Sequence, residues 1–373
     1  MEASLYLPLY LALVAALCLL TCYAAPAPPL PAGETADGLV PAGAPVAWLL
    51  SLALTLWLGS RPVSGQYFGD TANYALEYVG LDARGGAFVM NWREEWIWQW
   101  LMKGCKGTGL SLTAFLTLVE AGYVLSALLA VRRLMPSAPL TGLLFVWASL
   151  SFFSFAVNGL RNGLACHFVL WGLACLLDDR RVAGWGLCLV AIGIHRSTLL
   201  PVAAIVAALF LLKNPLVAIG IWAASIVASL LVGNTVTGFL AATSFDARMS
   251  SYTAAGADMS EFSGTGFRWD FLCYSAVPVV MMWYVFAVRR LEENWYRVIS
   301  VAYCLGNAFW IMVIRTSFSN RFAYLSWFLY PIVIAYPLLN MPLWEDQERK
   351  TGRILLAYCG FTVFMQLVYW KAG

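Results

Sequence analysis

The chain has 373 residues, of which 61% are hydrophobic and only 12% charged, with a formal net charge of +3. A water-soluble domain of this size has too little interior to hide that much apolar surface, and so small a charge argues against a nucleic-acid partner. A lipid bilayer supplies the missing solvent, so the composition predicts an all-α polytopic membrane protein whose residues 1–373 form a single integral membrane domain.

Apolar runs predict spans at about residues 4–24, 41–59, 109–131, 138–157, 162–177, 182–195, 198–212, 215–240, 267–288, 295–314, 321–340 and 353–371, which gives ten to twelve transmembrane helices. The first run ends in a cleavage-like Tyr23-Ala24-Ala25-Pro26 but lacks a basic n-region, with Glu2 as its only early charge, and reads as a retained helix. Residues 25–40, carrying Pro26, Pro28, Pro29 and Pro31, read as a stiff linker. Residues 60–108 form a charged loop holding Arg61, Asp70, Glu77, Glu94 and Glu95 among others. Within it, Trp92, Trp96, Trp98 and Trp100 predict an interfacial helix over 91–103, whose indoles either anchor in the headgroups or stack on sugars.

The runs within 182–212 are short. Their 31 positions rise about 46 Å as helix, whereas two crossings need about 60 Å. Two tilted short helices, or a helix followed by a re-entrant piece, are expected, with His195-Arg196-Ser197 at a turn that lies below the outer surface beside a cavity or else forms an ordinary hairpin at the interface. Residues 243–266, punctuated by Gly256, Gly264 and Gly266, form a second long loop. Arg268 and Asp270 follow at the start of a span, close enough in sequence to pair with each other.

Lys and Arg mark cytoplasmic loops. Placing Arg132-Arg133 inside and alternating the spans puts Arg180-Arg181, Lys213, Arg289-Arg290 and Arg349-Lys350 inside as well. The loops at 60–108 and 243–266 are then extracytoplasmic, and Arg161, Arg196, Arg315 and Arg321 fall on the same outer side, at the ends of apolar spans. A cation there works against the topology bias and costs free energy without an anionic partner. It either snorkels to phospholipid headgroups or holds an anion, and a guanidinium suits bidentate phosphate recognition. His195 is either a general base or a structural histidine, and His167, inside a span, reads as a helix-packing group. The nine cysteines contain no CxxC pair and read mostly as small buried hydrophobes, and with two histidines no metal site or cofactor is expected.

An ordered set of short elements resembles the EpsG family of membrane proteins in polysaccharide biosynthesis. Gly69-Asp70-Thr71-Ala72-Asn73-Tyr74 is similar to its GtDxxxY-like element, Arg161-Asn162-Gly163-Leu164-Ala165 to its RqglA element, and Ala191-Ile192-Gly193-Ile194-His195-Arg196-Ser197 to its histidine-containing element. Arg248-Met249-Ser250-Ser251-Tyr252, Gly266-Phe267-Arg268-Trp269-Asp270 and Ser319-Asn320-Arg321-Phe322-Ala323-Tyr324 also look like family features, so the resemblance runs from about 60 to 340. Asn162 and Arg196 depart from the glutamine and lysine common in the family.

The resemblance implies a Wzy-like polymerase of exopolysaccharide, capsule or O-antigen, with a GT-C-like fold of short broken helices and extracytoplasmic loops. It would join repeat units carried on undecaprenyl diphosphate at the outer face of a bacterial inner membrane, without cofactor, among membrane lipids and beside a chain-length regulator and a flippase. Arg161 and Arg321, then Arg315 and Arg196, would bind the substrate diphosphate. His195 or Asp70 would act as catalytic base, and Tyr74, Tyr252, Arg248, Arg268, Asp270 and Tyr324 would contact the glycan. A lipid-linked oligosaccharide flippase, a glycan acyltransferase and a non-catalytic assembly subunit are the competing readings.

Overall fold

The computed structural model describes residues 1–24, 43–81, 95–242, 266–316 and 319–369. The expected linker at 25–40, Trp92, and the proposed glycan contacts Arg248 and Tyr252 lie outside the described residues. Every regular element described is helical, as an interior of lipid requires, because only a helix satisfies its own backbone within one segment. Seven helical stretches are long and apolar enough to cross a membrane, and Ala44–Gly59, Arg181–Ile194 and Arg196–Leu211 are shorter apolar ones. The chain divides into two compact units, Met1–Thr198 with Ala335–Gly373, and Leu199–Ile334.

The first unit contains α1 (Tyr6–Ala24), α2 (Ala44–Gly59), α3 (Gly65–Phe68), α4 (Thr71–Gly80), α5 (Trp96–Gly107), α6 (Leu112–Leu134), α7 (Pro139–Trp147), α8 (Phe152–Val157), α9 (Leu160–Leu177) and α10 (Arg181–Ile194). Their boundaries follow local chemistry. The Ser111 hydroxyl accepts from the Ala114 N–H at the start of α6, Arg132 and Arg133 lie in its last turn, and Pro139 opens α7. Helix α9 is its centre, packed against α6 and α10. His167 of α9 has its Nδ1 2.8 Å from the Tyr123 carbonyl oxygen of α6 and its ring stacked on Tyr123 at 3.9 Å, which is the packing role expected of it.

The run at 138–157 is interrupted, a feature the apolar pattern does not announce. Residues 148–151 leave the helix, and four carbonyls around the break are satisfied by side chains from other helices. Tyr10 of α1 donates to the Trp147 carbonyl at 2.5 Å, and Tyr123 to that of Phe152 at 3.0 Å. Thr362 donates to the Ala148 carbonyl at 2.7 Å, and Gln366 to that of Leu150 at 3.1 Å. Irregular backbone inside a membrane persists where protein partners of this kind replace the lost helical bonds.

The second unit begins with α11 (Leu199–Val206), which widens into a π-helical turn at Ala207–Leu211, and continues with α12 (Pro215–Ala242), α13 (Trp269–Trp283), α14 (Asn294–Met312) and α15 (Ser319–Trp327). Asn307, wholly buried on α14, is its polar hub. Its Oδ1 accepts from the Trp222 indole of α12 at 2.7 Å, and its Nδ2 donates to Ser275 of α13 at 3.2 Å and to Ser326 of α15 at 2.9 Å. Interhelical hydrogen bonds of this sort, about 0.6 kcal/mol each on average, fix which helix faces meet where apolar contact alone would not.

The chain then runs through α16 (Tyr330–Asn340) and ends in α17 (Gln347–Phe364), which packs on α1 within the first unit. The Gln347 amide donates to the Leu338 and Met341 carbonyls at 2.7 and 2.6 Å, tying the start of α17 to the end of α16.

Candidate functional site

Helices α9 and α10 form a hairpin whose two ends differ in chemistry. At one end Arg133, in the last turn of α6, pairs with Asp178 at 2.6 Å, and Arg180 and Arg181 follow with exposed side chains. At the other end lie Arg161, in the first turn of α9, and His195, immediately after α10. The division of the cations into two sets, read from the sequence, is therefore a real separation by the length of a helix within this unit.

Glu95 joins the second set into one cluster. One carboxylate oxygen accepts from Arg161 Nη1 and the other faces His195 Nδ1. Arg161 also donates through Nε to the Tyr74 hydroxyl at 3.0 Å, with its guanidinium 5.3 Å from the centre of the Tyr74 ring. The side chains of Arg161 and Glu95 are each 16% exposed and that of His195 12%, so the group is largely withdrawn from solvent but reachable. A carboxylate only accepts, so Nδ1 of His195 carries the proton and, in a neutral ring, Nε2 is the basic nitrogen.

Each residue is placed by its own local structure. The start of α9 stays close to α8 because Gly163 has no side chain: a Cβ there would lie 2.6 Å from the Phe155 carbonyl oxygen. Helix α10 has 14 residues, rising about 21 Å, so it stops short of a full crossing. His195 then takes an extended conformation, and Arg196–Thr198 form one 3₁₀ turn, capped by the Thr198 hydroxyl on the His195 carbonyl at 2.7 Å. That is the turn expected within 182–212. Close approach of α5 to α10 is made at Gly193, where a Cβ would lie 2.5 Å from Ile97 Cδ1, two residues beyond Glu95.

Asp70 precedes α4, beside the turn that leads to Arg161. Its backbone N–H donates to Asn158 Oδ1 at 2.8 Å, and Gly69 before it has φ +47°, a left-handed conformation that suits glycine. One turn further on, Tyr74 holds Arg161. Helix α4 is itself pinned by a buried ion pair. Arg61 Nη1 donates to Glu120 of α6 at 2.7 Å and its Nη2 to Thr71 at 3.2 Å, with the side chains of Arg61 and Glu120 both fully buried.

The helix predicted over 91–103 is found at Trp96–Gly107. Trp100 is exposed, but Trp98 is buried between Tyr74 and Phe115, at ring distances of 5.2 and 5.7 Å. This indole supports the site from beneath rather than meeting headgroups or sugar.

Of the sequence-predicted residues, the structure brings Arg161, His195 and Tyr74 together, with Asp70 beside their supporting turn. Arg196 follows His195 with an exposed side chain. Arg315, Arg321, Arg268, Asp270 and Tyr324 belong to the second unit. There Arg315 donates to the Ser229 carbonyl at 2.5 Å and lies over the Phe267 ring, and Arg321 is half-buried in the first turn of α15. Arg268 and Asp270 pair through two hydrogen bonds of 2.9 and 2.6 Å, and Tyr324 is buried. Glu95 was visible in the sequence only as one charge among many in a long loop. Glu120 carried a clearer signal, a lone carboxylate within an apolar span.

A helical membrane protein carrying an arginine–carboxylate–histidine cluster at one end of a helix hairpin is the class that fold and site define. Residues 46–373 match the EpsG family, and the chain belongs to that family of Wzy-like polysaccharide polymerases. No curated protein and no solved structure matches the chain.

Proposed function

We propose that this protein elongates a polysaccharide by transferring a lipid-diphosphate-linked oligosaccharide to the hydroxyl of a second repeat unit, at the extracytoplasmic face of a bacterial inner membrane. Membership of the EpsG family supports a polymerase. The observation that carries the chemistry is the Arg161–Glu95–His195 cluster, which puts a guanidinium and an oriented imidazole in one partly enclosed place.

In this reading the acceptor hydroxyl gives its proton to His195 Nε2 as its oxygen bonds to the anomeric carbon of the donor sugar. The bond from that carbon to the diphosphate oxygen breaks, and its electron pair leaves with the lipid diphosphate. Negative charge grows on the leaving oxygen, so a guanidinium there stabilises the transition state more than the ground state. Arg161 takes that role, with Tyr74 holding its orientation. Arg321, Arg315 and Arg196 remain proposed diphosphate ligands, and Asp70 is assigned to positioning a sugar hydroxyl. Arg268, Asp270 and Tyr324 remain proposed glycan contacts. Undecaprenyl diphosphate is the proposed carrier.

Reconstitution of the purified protein with a single lipid-linked repeat unit tests this. Longer lipid-linked products are expected from the wild type and none from Arg161→Ala, with the variant inserted and folded. Transbilayer movement of the substrate without elongation would instead identify a flippase. Wild-type product lengths from Arg161→Ala would remove this residue from the mechanism.

A further inference from the structure

We propose that Glu95 is a built-in substitute for the substrate anion. It neutralises Arg161 while the site is empty, and it keeps its bond to His195 when a diphosphate displaces it from Arg161. This rests on the reading of Arg161 as a diphosphate ligand.

Three observations carry it. First, the two oxygens of one carboxylate are divided between the proposed leaving-group ligand and the proposed base, Oε2 to Arg161 and Oε1 to His195. Second, Glu95 stands at the N-cap of α5 yet makes no capping bond with its side chain. A carboxylate so placed ordinarily accepts from the first N–H groups of the helix, and here it is turned across to α9 and the end of α10 instead. Third, Arg161 has a second, independent support in Tyr74, from a different helix, through both a hydrogen bond and the ring face. The guanidinium therefore keeps its position when the carboxylate leaves.

The physical consequences follow in order. A partly buried guanidinium without a counter-charge is costly, so Glu95 stabilises the empty site. A diphosphate carries more charge than a carboxylate and offers oxygens that match the guanidinium fork, so it competes for Arg161. Once Arg161 is neutralised by substrate, it no longer offsets the Glu95 charge felt at the imidazole. An uncompensated carboxylate draws more strongly on the Nδ1 proton and stabilises the positive charge that forms on the ring as the hydroxyl proton reaches Nε2, which makes His195 more effective only when the leaving group is in place. Glu95 is on this account a positioning residue, acting through Arg161 and His195. Because binding free energies are reciprocal, a carboxylate that competes with diphosphate weakens its binding, and removing that charge strengthens it.

Full-length wild type, Glu95→Gln, Glu95→Asp and Arg161→Ala in lipid nanodiscs test the idea, with undecaprenyl diphosphate as the probe. Glu95→Gln is expected to bind it about tenfold more tightly, within the usual range of couplings between sites, while its kcat for elongation falls. Glu95→Asp, which keeps the charge, is expected to restore part of the turnover and to bind like wild type. Equal or weaker binding by Glu95→Gln, in protein shown to be folded by its thermal transition, overturns the proposal. A second measurement needs no variant of Glu95. The chain has only two histidines, so ¹⁵N-histidine spectra of the wild type are expected to show the His195 Nδ1–H signal shift on adding the probe, as its hydrogen bond to Glu95 strengthens, and unchanged spectra despite binding would also overturn it. If wild type and Arg161→Ala bind the probe equally, the diphosphate reading itself has failed. If Arg161→Ala alone loses binding, that reading stands whatever Glu95 does.

Discussion

Glu95 and His195 are hydrogen-bonded across a hundred residues of chain. The bond ties a loop segment ahead of α5 to the end of a helix too short to cross a membrane. It also turns Nδ1 toward the carboxylate, which in the proposed mechanism leaves Nε2 for the substrate proton. His195→Ala is expected to lower kcat by about 10²–10⁴-fold, the usual contribution of a positioned acid or base, with little change in KM. Steady-state elongation rates measure it, and an unchanged kcat would remove His195 as the base.

Asp70 is the competing base. Its backbone N–H donates to Asn158 Oδ1, and its carboxylate lies 3.5 Å from the Asn73 amide nitrogen. Asp70→Asn is expected to raise KM while kcat stays within about tenfold of wild type. A loss of kcat as large as that of His195→Ala would transfer the role to Asp70.

The Arg61–Glu120 pair is wholly buried. Removing one partner strands the other charge, so Arg61→Ala or Glu120→Ala is expected to cost about 3–5 kcal/mol of stability. Replacing both with apolar residues of similar volume should recover most of that, apart from the bond to Thr71. Unfolding midpoints in detergent report this. Single variants as stable as wild type would show that the stranded charge finds water or another partner.

The break between α7 and α8 rests on side chains from distant helices. Tyr10→Phe and Thr362→Val each remove a donor from a carbonyl at the break, those of Trp147 and Ala148, and each should cost about 1–3 kcal/mol if the carbonyl stays unsatisfied. Denaturation of the two single variants and the double variant measures it. No loss in any of them would mean that the break repairs itself.

The two ends of the α9–α10 hairpin should lie on opposite sides of the membrane. Asp179→Cys and Arg196→Cys, introduced after replacing the exposed Cys273 and half-buried Cys22, can be treated in intact cells with an impermeant maleimide. Only the cysteine at 196 is expected to react. Labelling at 179 alone would invert the orientation inferred from the doubled cations.

Much of this was legible in the sequence because lipid is a demanding solvent. Apolar runs revealed a polytopic helical chain, although among the described residues seven helical stretches, fewer than the runs, are long and apolar enough to cross, and a 31-residue stretch too short for two crossings revealed the turn at His195. Family-like elements drew attention to Arg161, Tyr74 and Asp70. Tertiary pairing was not legible. Glu95 sits among a loop full of charges, with no local cue that its carboxylate turns from its own helix toward Arg161. The break at 148–151 was equally hidden, because the groups that make it tolerable come from residues 10, 123, 362 and 366. Trp98 was hidden in the same way, since a Trp-rich sequence suggests headgroup or sugar contact and does not show that this indole packs against Tyr74 and Phe115.

The same break has a consequence for how the protein is made. Its Ala148 carbonyl waits for Thr362, which lies 214 residues downstream. At about 5–20 residues per second of synthesis, that oxygen stays without its final partner for roughly 10–40 seconds after it enters the membrane. During that interval the ribosome is still delivering the rest of the chain, and the nascent segment must borrow water or the machinery of insertion. Assembly of the first unit therefore finishes last, with the arrival of the C-terminal helix.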